Sequence, residues 1–310
     1  MCIRDRVKEL REKTGAGMMD CKKALNECNG DMDAAVKYLR EKGIAKAAAK
    51  ADRDAKEGVI RAAVAPCGCS GIILELNCET DFCAKGDKFQ GLVNDVANAL
   101  MDSKASTLEE ALQVPMAEGS TEEYIKAMCS SIGENMALRK FARLTADGIG
   151  AVVSYIHMGG KVGVLVNLAV DGGIDATEIG KNVAMQIAAL NPRFWDKAQV
   201  TDEVLAEEKK IALALMDTDP KMASKPEAVK EKIVMGKMNK FYEENCLLQM
   251  EFVRGDIFQG SVEKYIADAA KKLGGSVKFV DAVRFQTGEG IEKKQEDFAA
   301  EVAAQMNMGK

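Results

Sequence analysis

The residues Asn77-Cys78-Glu79-Thr80-Asp81-Phe82-Cys83-Ala84-Lys85 decide how this chain is read. Before them runs Gly71-Ile72-Ile73-Leu74-Glu75-Leu76, mostly apolar and rich in branched side chains, the composition of a half-buried strand. After them, Phe89, Leu92, Val93, Val96 and Leu100 recur at spacings of three and four, the period of a helix with one apolar face. The quoted residues therefore turn a strand into a helix. Thr80 and Asp81 suit the start of a helix, where a side-chain oxygen accepts from a free backbone N–H. Phe82 is an apolar side chain in a polar turn. Taken alone, these residues fit a capped corner whose Phe82 folds back onto the core.

The same pattern occurs twice. Gly58-Val59-Ile60-Arg61-Ala62-Ala63-Val64 aligns without a gap on Gly150-Ala151-Val152-Val153-Ser154-Tyr155-Ile156. At the same offset, residues 71–76 fall on Gly163-Val164-Leu165-Val166-Asn167-Leu168. Each copy reads as strand, turn, strand and helix, the second helix covering 183–190. Two such units predict a duplicated α+β core of small antiparallel sheets covered by helices.

Around this core the chain is helical. Residues 7–13 (Val7 and Leu10, with Ile3), 18–28 (Met18, Cys21, Ala24, Leu25, Cys28) and 31–39 (Ala34, Ala35, Tyr38, Leu39, capped by Asp31) predict a minimal three-helix bundle. Residues 43–57 read as a part-helical linker. Residues 108–112 and 122–144 read as helices, as do 201–216 and 227–245. The last two form an antiparallel hairpin around the turn at 217–226. A further helix covers 261–273, and the alternation over 276–285 predicts a strand completing the second sheet. The expected division is 1–54 (helical module and linker), 55–146 (first core half), 147–200 with 247–286 (second core half), 201–246 (inserted hairpin) and 287–310 (C-terminal module).

Composition excludes several classes. The net charge of −5 argues against a general nucleic-acid binder. No apolar run approaches the ~18–20 residues that span a bilayer, and no export signal is legible, so a cytoplasmic protein is expected. Nine cysteines in that setting imply reduced thiols. His157 is the only histidine, and neither a phosphate-binding loop nor a dinucleotide fingerprint occurs. A zinc site built from Cys67, Cys69, Cys78 and Cys83 is opposed by geometry. Cys67 and Cys69 sit in a hairpin turn, and an extended strand puts Cys78 roughly 20 Å away.

Asn-Cys-x-Thr-Asp-Phe following Ile-Leu-Glu-Leu resembles the signature of the bacterial elongation factor Ts family, the guanine-nucleotide exchange factors for elongation factor Tu. The run Thr14-Gly15-Ala16-Gly17-Met18-Met19-Asp20-Cys21-Lys22-Lys23-Ala24-Leu25, with Gly30-Asp31, is similar to that family's ubiquitin-associated-like module. Ile132-Gly133-Glu134-Asn135 resembles a family segment, and 284–293 with 297–302 is similar to its C-terminal module, read as a terminal helix. The resemblance covers essentially residues 7–306. Two departures are Cys83, where the family commonly has Val, and Gln249-Met250-Glu251-Phe252 in place of Gln-Pro-Phe. The resemblance implies a partner, elongation factor Tu, in its GDP-bound and nucleotide-free states. It makes Thr80, Asp81, Phe82 and Cys83 the element that intrudes near the partner's magnesium site. Met18, Met19 and His157 become further contacts. It implies no catalytic residue, metal, cofactor, membrane or direct nucleic-acid contact. The alternative is an adaptor that docks partners through the helical module without promoting exchange.

Overall fold

A computed structural model of the chain describes residues 3–291 apart from Gly15, Ala49, Ala51, Asp52, Glu118, Ile149 and 219–225. The terminal helix expected beyond residue 291 and the tip of the helical hairpin lie outside the described residues.

The core is two three-stranded antiparallel sheets. In the first, β2 (Ser70–Cys78) lies between β1 (Glu57–Val64) and β5 (Ala137–Thr145). In the second, β7 (Val162–Asp171) lies between β6 (Gly150–His157) and β8 (Ser276–Gln286). A two-residue pair, β3 (Pro115–Met116) and β4 (Gly119–Ser120), lies between the halves in sequence.

The repeat read from the sequence becomes a pseudo-twofold. The sheets meet through Ile60 and Ile73 of one and their counterparts Val152 and Leu165 of the other. Gly71 lies against Val152 and Leu165, and its counterpart Gly163 lies against Ile60 and Ile73. A Cβ at either glycine would fall within 3.0 Å of a neighbouring side chain, so close sheet packing requires Gly there. The hydrogen bonds obey the same symmetry. Val152 N donates to Gly68 O at 2.7 Å, and Ile60 N donates to Gly160 O at 2.8 Å. Even the irregularities match, with bulges between Glu75 and Leu76 and between Asn167 and Leu168.

Helices cover the outer faces. The first sheet is covered by α5 (Asp87–Asp102), which buries Phe89, Leu92, Val93, Val96 and Leu100 as its period dictates. Also on that side are α4 (Asp81–Lys85), α6 (Leu108–Gln113) and α7 (Thr121–Ile132). The second sheet is covered by α8 (Thr177–Leu190) and α11 (Val262–Lys272), where Phe252 stacks on Tyr265 with centroids 4.0 Å apart. Helices α9 (Asp202–Thr218) and α10 (Glu227–Asn245) pack through Ala212, Met216, Val234 and Met238.

At the N-terminus, α1 (Ile3–Thr14), α2 (Met18–Glu27) and α3 (Met32–Ala48) enclose Val7, Leu10, Cys21, Ala24, Leu25 and Ala35. Asp31 Oδ1 accepts from Ala34 N, as a cap should. Ile3, expected on the inner face, is exposed, and so are Met18 and Ala34. Residues 43–48, expected in a linker, continue α3, and Gly43 rests on Ala127 and Ser130 of α7.

Two further expectations fail. Residues 122–144 do not form one helix. Gly133, at φ +97°, caps α7 in the left-handed conformation, and Ala137–Thr145 is the strand β5. Its Ala, Leu, Arg and Lys favour a helix locally, but pairing with the open edge of β2 overrides propensity. Cys67 and Cys69 are not free thiols. The turn brings their Cα atoms to 5.2 Å, within bridging range, and they form a disulfide.

Candidate functional site

The corner after β2 is built around Glu134, which lies just beyond the end of α7. Its Oε2 accepts from Glu79 N and Thr80 N, both at 3.0 Å, and its Oε1 accepts from Thr80 Oγ1 at 2.7 Å. In return, Asn135 N donates to Glu79 Oε1 at 2.6 Å. Two loops that are distant in sequence are thus clamped backbone to carboxylate. Thr80 is the N-cap of α4, its Oγ1 accepting from Cys83 N at 3.1 Å. Within α4, Lys85 Nζ lies 2.7 Å from Asp81 Oδ2, and this bond holds the Asp81 carboxyl below its usual range.

The outcome for Phe82 is clear: it is 85% exposed. A short capped helix, fixed by charge-assisted bonds, presents an aromatic ring to solvent instead of burying it. Cys83 is half-buried and turns inward beside Cys78. Its thiol is pushed far up by the hydrogen bond with Cys78, by burial and by the nearby Glu134 charge. Thr80, Asp81, Phe82 and Cys83 therefore form one unit, with Cys83 facing away from the exposed ring.

His157 ends β6 and is exposed, with Tyr155 Oη 2.9 Å from its Nδ1. The following turn, in which Met158 is exposed at φ +48°, returns through Lys161, whose Nζ bonds Glu57 Oε2. Glu57 is the register partner of Cys78. The hairpin bearing His157 therefore adjoins the end of the first sheet from which the corner springs. Met18 and Met19 begin α2 and are 58% and 74% exposed, on a different element from the corner. Lys8, Arg11 and Glu12 of α1 share a shallow surface depression with Lys88 of α5, so the helical module stands close behind the corner.

The sequence reading missed Glu75. It is fully buried, and its carboxylate accepts from Gly288 N at 2.7 Å and Asn77 Nδ2 at 3.0 Å, with Arg139 and Lys140 at 3.4 and 3.5 Å. This anion ties the chain leaving β8 to the first sheet. Glu at an inward position of an otherwise apolar strand was the available signal.

No described helix is long and apolar enough to cross a membrane. The family model for elongation factor TS matches residues 79–289, which include residues 79–85 of the corner, Glu134, β5 and the whole second sheet. The chain is 49% identical over 303 residues to the elongation factor Ts of a Nitratiruptor species, covering 97% of each chain. It is 45% identical over 308 residues, 98% of each chain, to that of Clostridium botulinum (strain ATCC 19397 / Type A). It is also 45% identical over 304 residues, 97% of each, to that of Halothermothrix orenii. With a family model over most of its length and relatives aligned nearly end to end, the chain belongs to the elongation factor Ts family of translation elongation factors.

Proposed function

We propose that the chain binds elongation factor Tu carrying GDP and promotes GDP release by inserting Phe82 beside the partner's magnesium and phosphate site, so that GTP can follow. The supporting observation is the exposed Phe82 on a corner that Glu134 holds rigid. A ring already presented in its working position loses little entropy on docking. Magnesium is the vulnerable point of a bound nucleotide because it demands near-ideal octahedral geometry. Linkage sets the requirement: a factor that binds the empty partner more tightly weakens GDP by the same ratio.

Phe82 does not act alone. Burying one Phe contributes ~1.5–3 kcal/mol, whereas a thousandfold weakening of GDP needs ~4 kcal/mol. Met18 and Met19 on the helical module, and His157 with Met158 on the second hairpin, are exposed and supply further contact area. Asp81, half-buried beside the ring and ionised, disturbs the partner's charge network.

The test is release of a fluorescent GDP from loaded elongation factor Tu on adding the purified chain. Faster release, with no GDP binding by the chain alone in calorimetry, supports exchange. Tight association with unchanged release would instead mark an adaptor.

A further inference from the structure

We propose that Cys78, Cys83 and Glu134 form a binding site for a thiophilic divalent cation of the zinc class, at the base of the corner that carries Phe82. The two Sγ atoms and a Glu134 carboxylate oxygen all lie within 4.8 Å of one another. An ion ~2.3 Å from sulfur and ~2.0–2.2 Å from oxygen needs its ligand atoms under roughly 4 Å apart, which small side-chain rotations supply. The ligands come from three places: the end of β2, the middle of α4 and the loop after α7. Cys78 is fully buried and Cys83 half-buried, so water competes little for the sulfurs.

The surroundings are already organised. Glu134 is oriented by Glu79 N, Thr80 N and Thr80 Oγ1, the kind of outer partners that fix a ligating carboxylate. The Cys78 thiol lies 3.2 Å from Thr80 O. Two sulfurs and one oxygen select zinc-like ions over magnesium or calcium. On binding, each thiol gives its proton to solvent, and the ion neutralises two of the three resulting negative charges. Nothing is oxidised or reduced, and water takes the fourth position.

This site is not the four-cysteine cluster that the sequence excluded. Cys67 and Cys69 lie at the opposite end of β2 and bridge each other. The test does not depend on exchange activity, since cobalt absorption and thiol alkylation are read on the chain alone.

Cobalt(II) titration of the full chain tests it, after reduction with a phosphine that is then removed. The expected result is a thiolate-to-cobalt charge-transfer band saturating at one ion per chain and displaced by zinc. Cys83→Val, checked for native circular dichroism, should weaken binding by at least the ~10–100-fold typical of losing even an outer-shell partner. A Cys67→Ser, Cys69→Ser double variant should retain the band. In the unmodified chain, zinc should protect the half-buried Cys83 from alkylation and leave Cys28, equally half-buried, unprotected. A missing band, a band undiminished in Cys83→Val, or a band lost only with Cys67 and Cys69 would overturn the assignment.

Discussion

Glu134 grips Thr80 at two atoms, accepting from its backbone N at 3.0 Å and from its Oγ1 at 2.7 Å. That one carboxylate converts a five-residue helix, too short to hold itself, into a fixed mount for Phe82.

Glu134→Ala should therefore loosen the corner. Hydrogen bonds to a charged group contribute about 1.5–3 kcal/mol, so the variant should lose stability on that scale in urea denaturation. GDP release should slow as well, because Phe82 would no longer be held in one place. An unchanged urea midpoint would show that the corner is held by other means.

Glu75 carries a different load. Its carboxylate is fully buried, while Arg139 and Lys140 beside it remain about a quarter exposed. Glu75→Leu should cost about 3 kcal/mol, the lower end of the range for breaking a buried pair, by leaving Gly288 N without its acceptor and Arg139 and Lys140 with Glu289 as their remaining polar partner among the described residues. Hydrogen exchange at Gly288 should rise in parallel. A variant as stable as the parent would show that the C-terminal segment is anchored elsewhere.

How much of this was legible follows from the residues themselves. Alternation and the internal repeat gave both central hairpins, and helical period gave α5, because each signal lies within one short stretch. The strand β5 was not legible: Ala137-Leu138-Arg139-Lys140 favours a helix, and only the open edge of β2, distant in sequence, makes it a strand. For the same reason Ile132-Gly133-Glu134-Asn135 could be matched to a family pattern without revealing that Glu134 clamps Thr80. The proximity of Cys78, Cys83 and Glu134 was hidden likewise. Spacing along the chain puts two cysteines near a corner, but only the fold brings the glutamate to them.

Cys246 offers a pH test. Burial, with the Asp196 charge second, pushes its thiol up from 9.0 to about 11. The unfolded chain therefore releases this proton at lower pH than the folded chain. The contribution is fully present below about pH 9 and lost as pH rises through about 11, at no more than ~1.4 kcal/mol per pH unit. Denaturation midpoints measured from pH 8 to 11 should fall more steeply for the parent than for Cys246→Ala. Parallel slopes would show that the thiol is not shielded as its burial implies.

The exposed ring is the centre of the account, and Phe82→Ala tests it most directly. Stopped-flow release of fluorescent GDP from elongation factor Tu should be measured beside thermal melting of the variant. With Phe82 85% exposed, stability should change by no more than ~0.5 kcal/mol. The release rate should fall about tenfold for every ~1.4 kcal/mol of lost contact energy. Asp81→Ala should slow release in the same direction and leave complex formation largely intact. A Phe82→Ala chain that melts much earlier, yet while folded releases GDP at the parent's rate, would contradict the account.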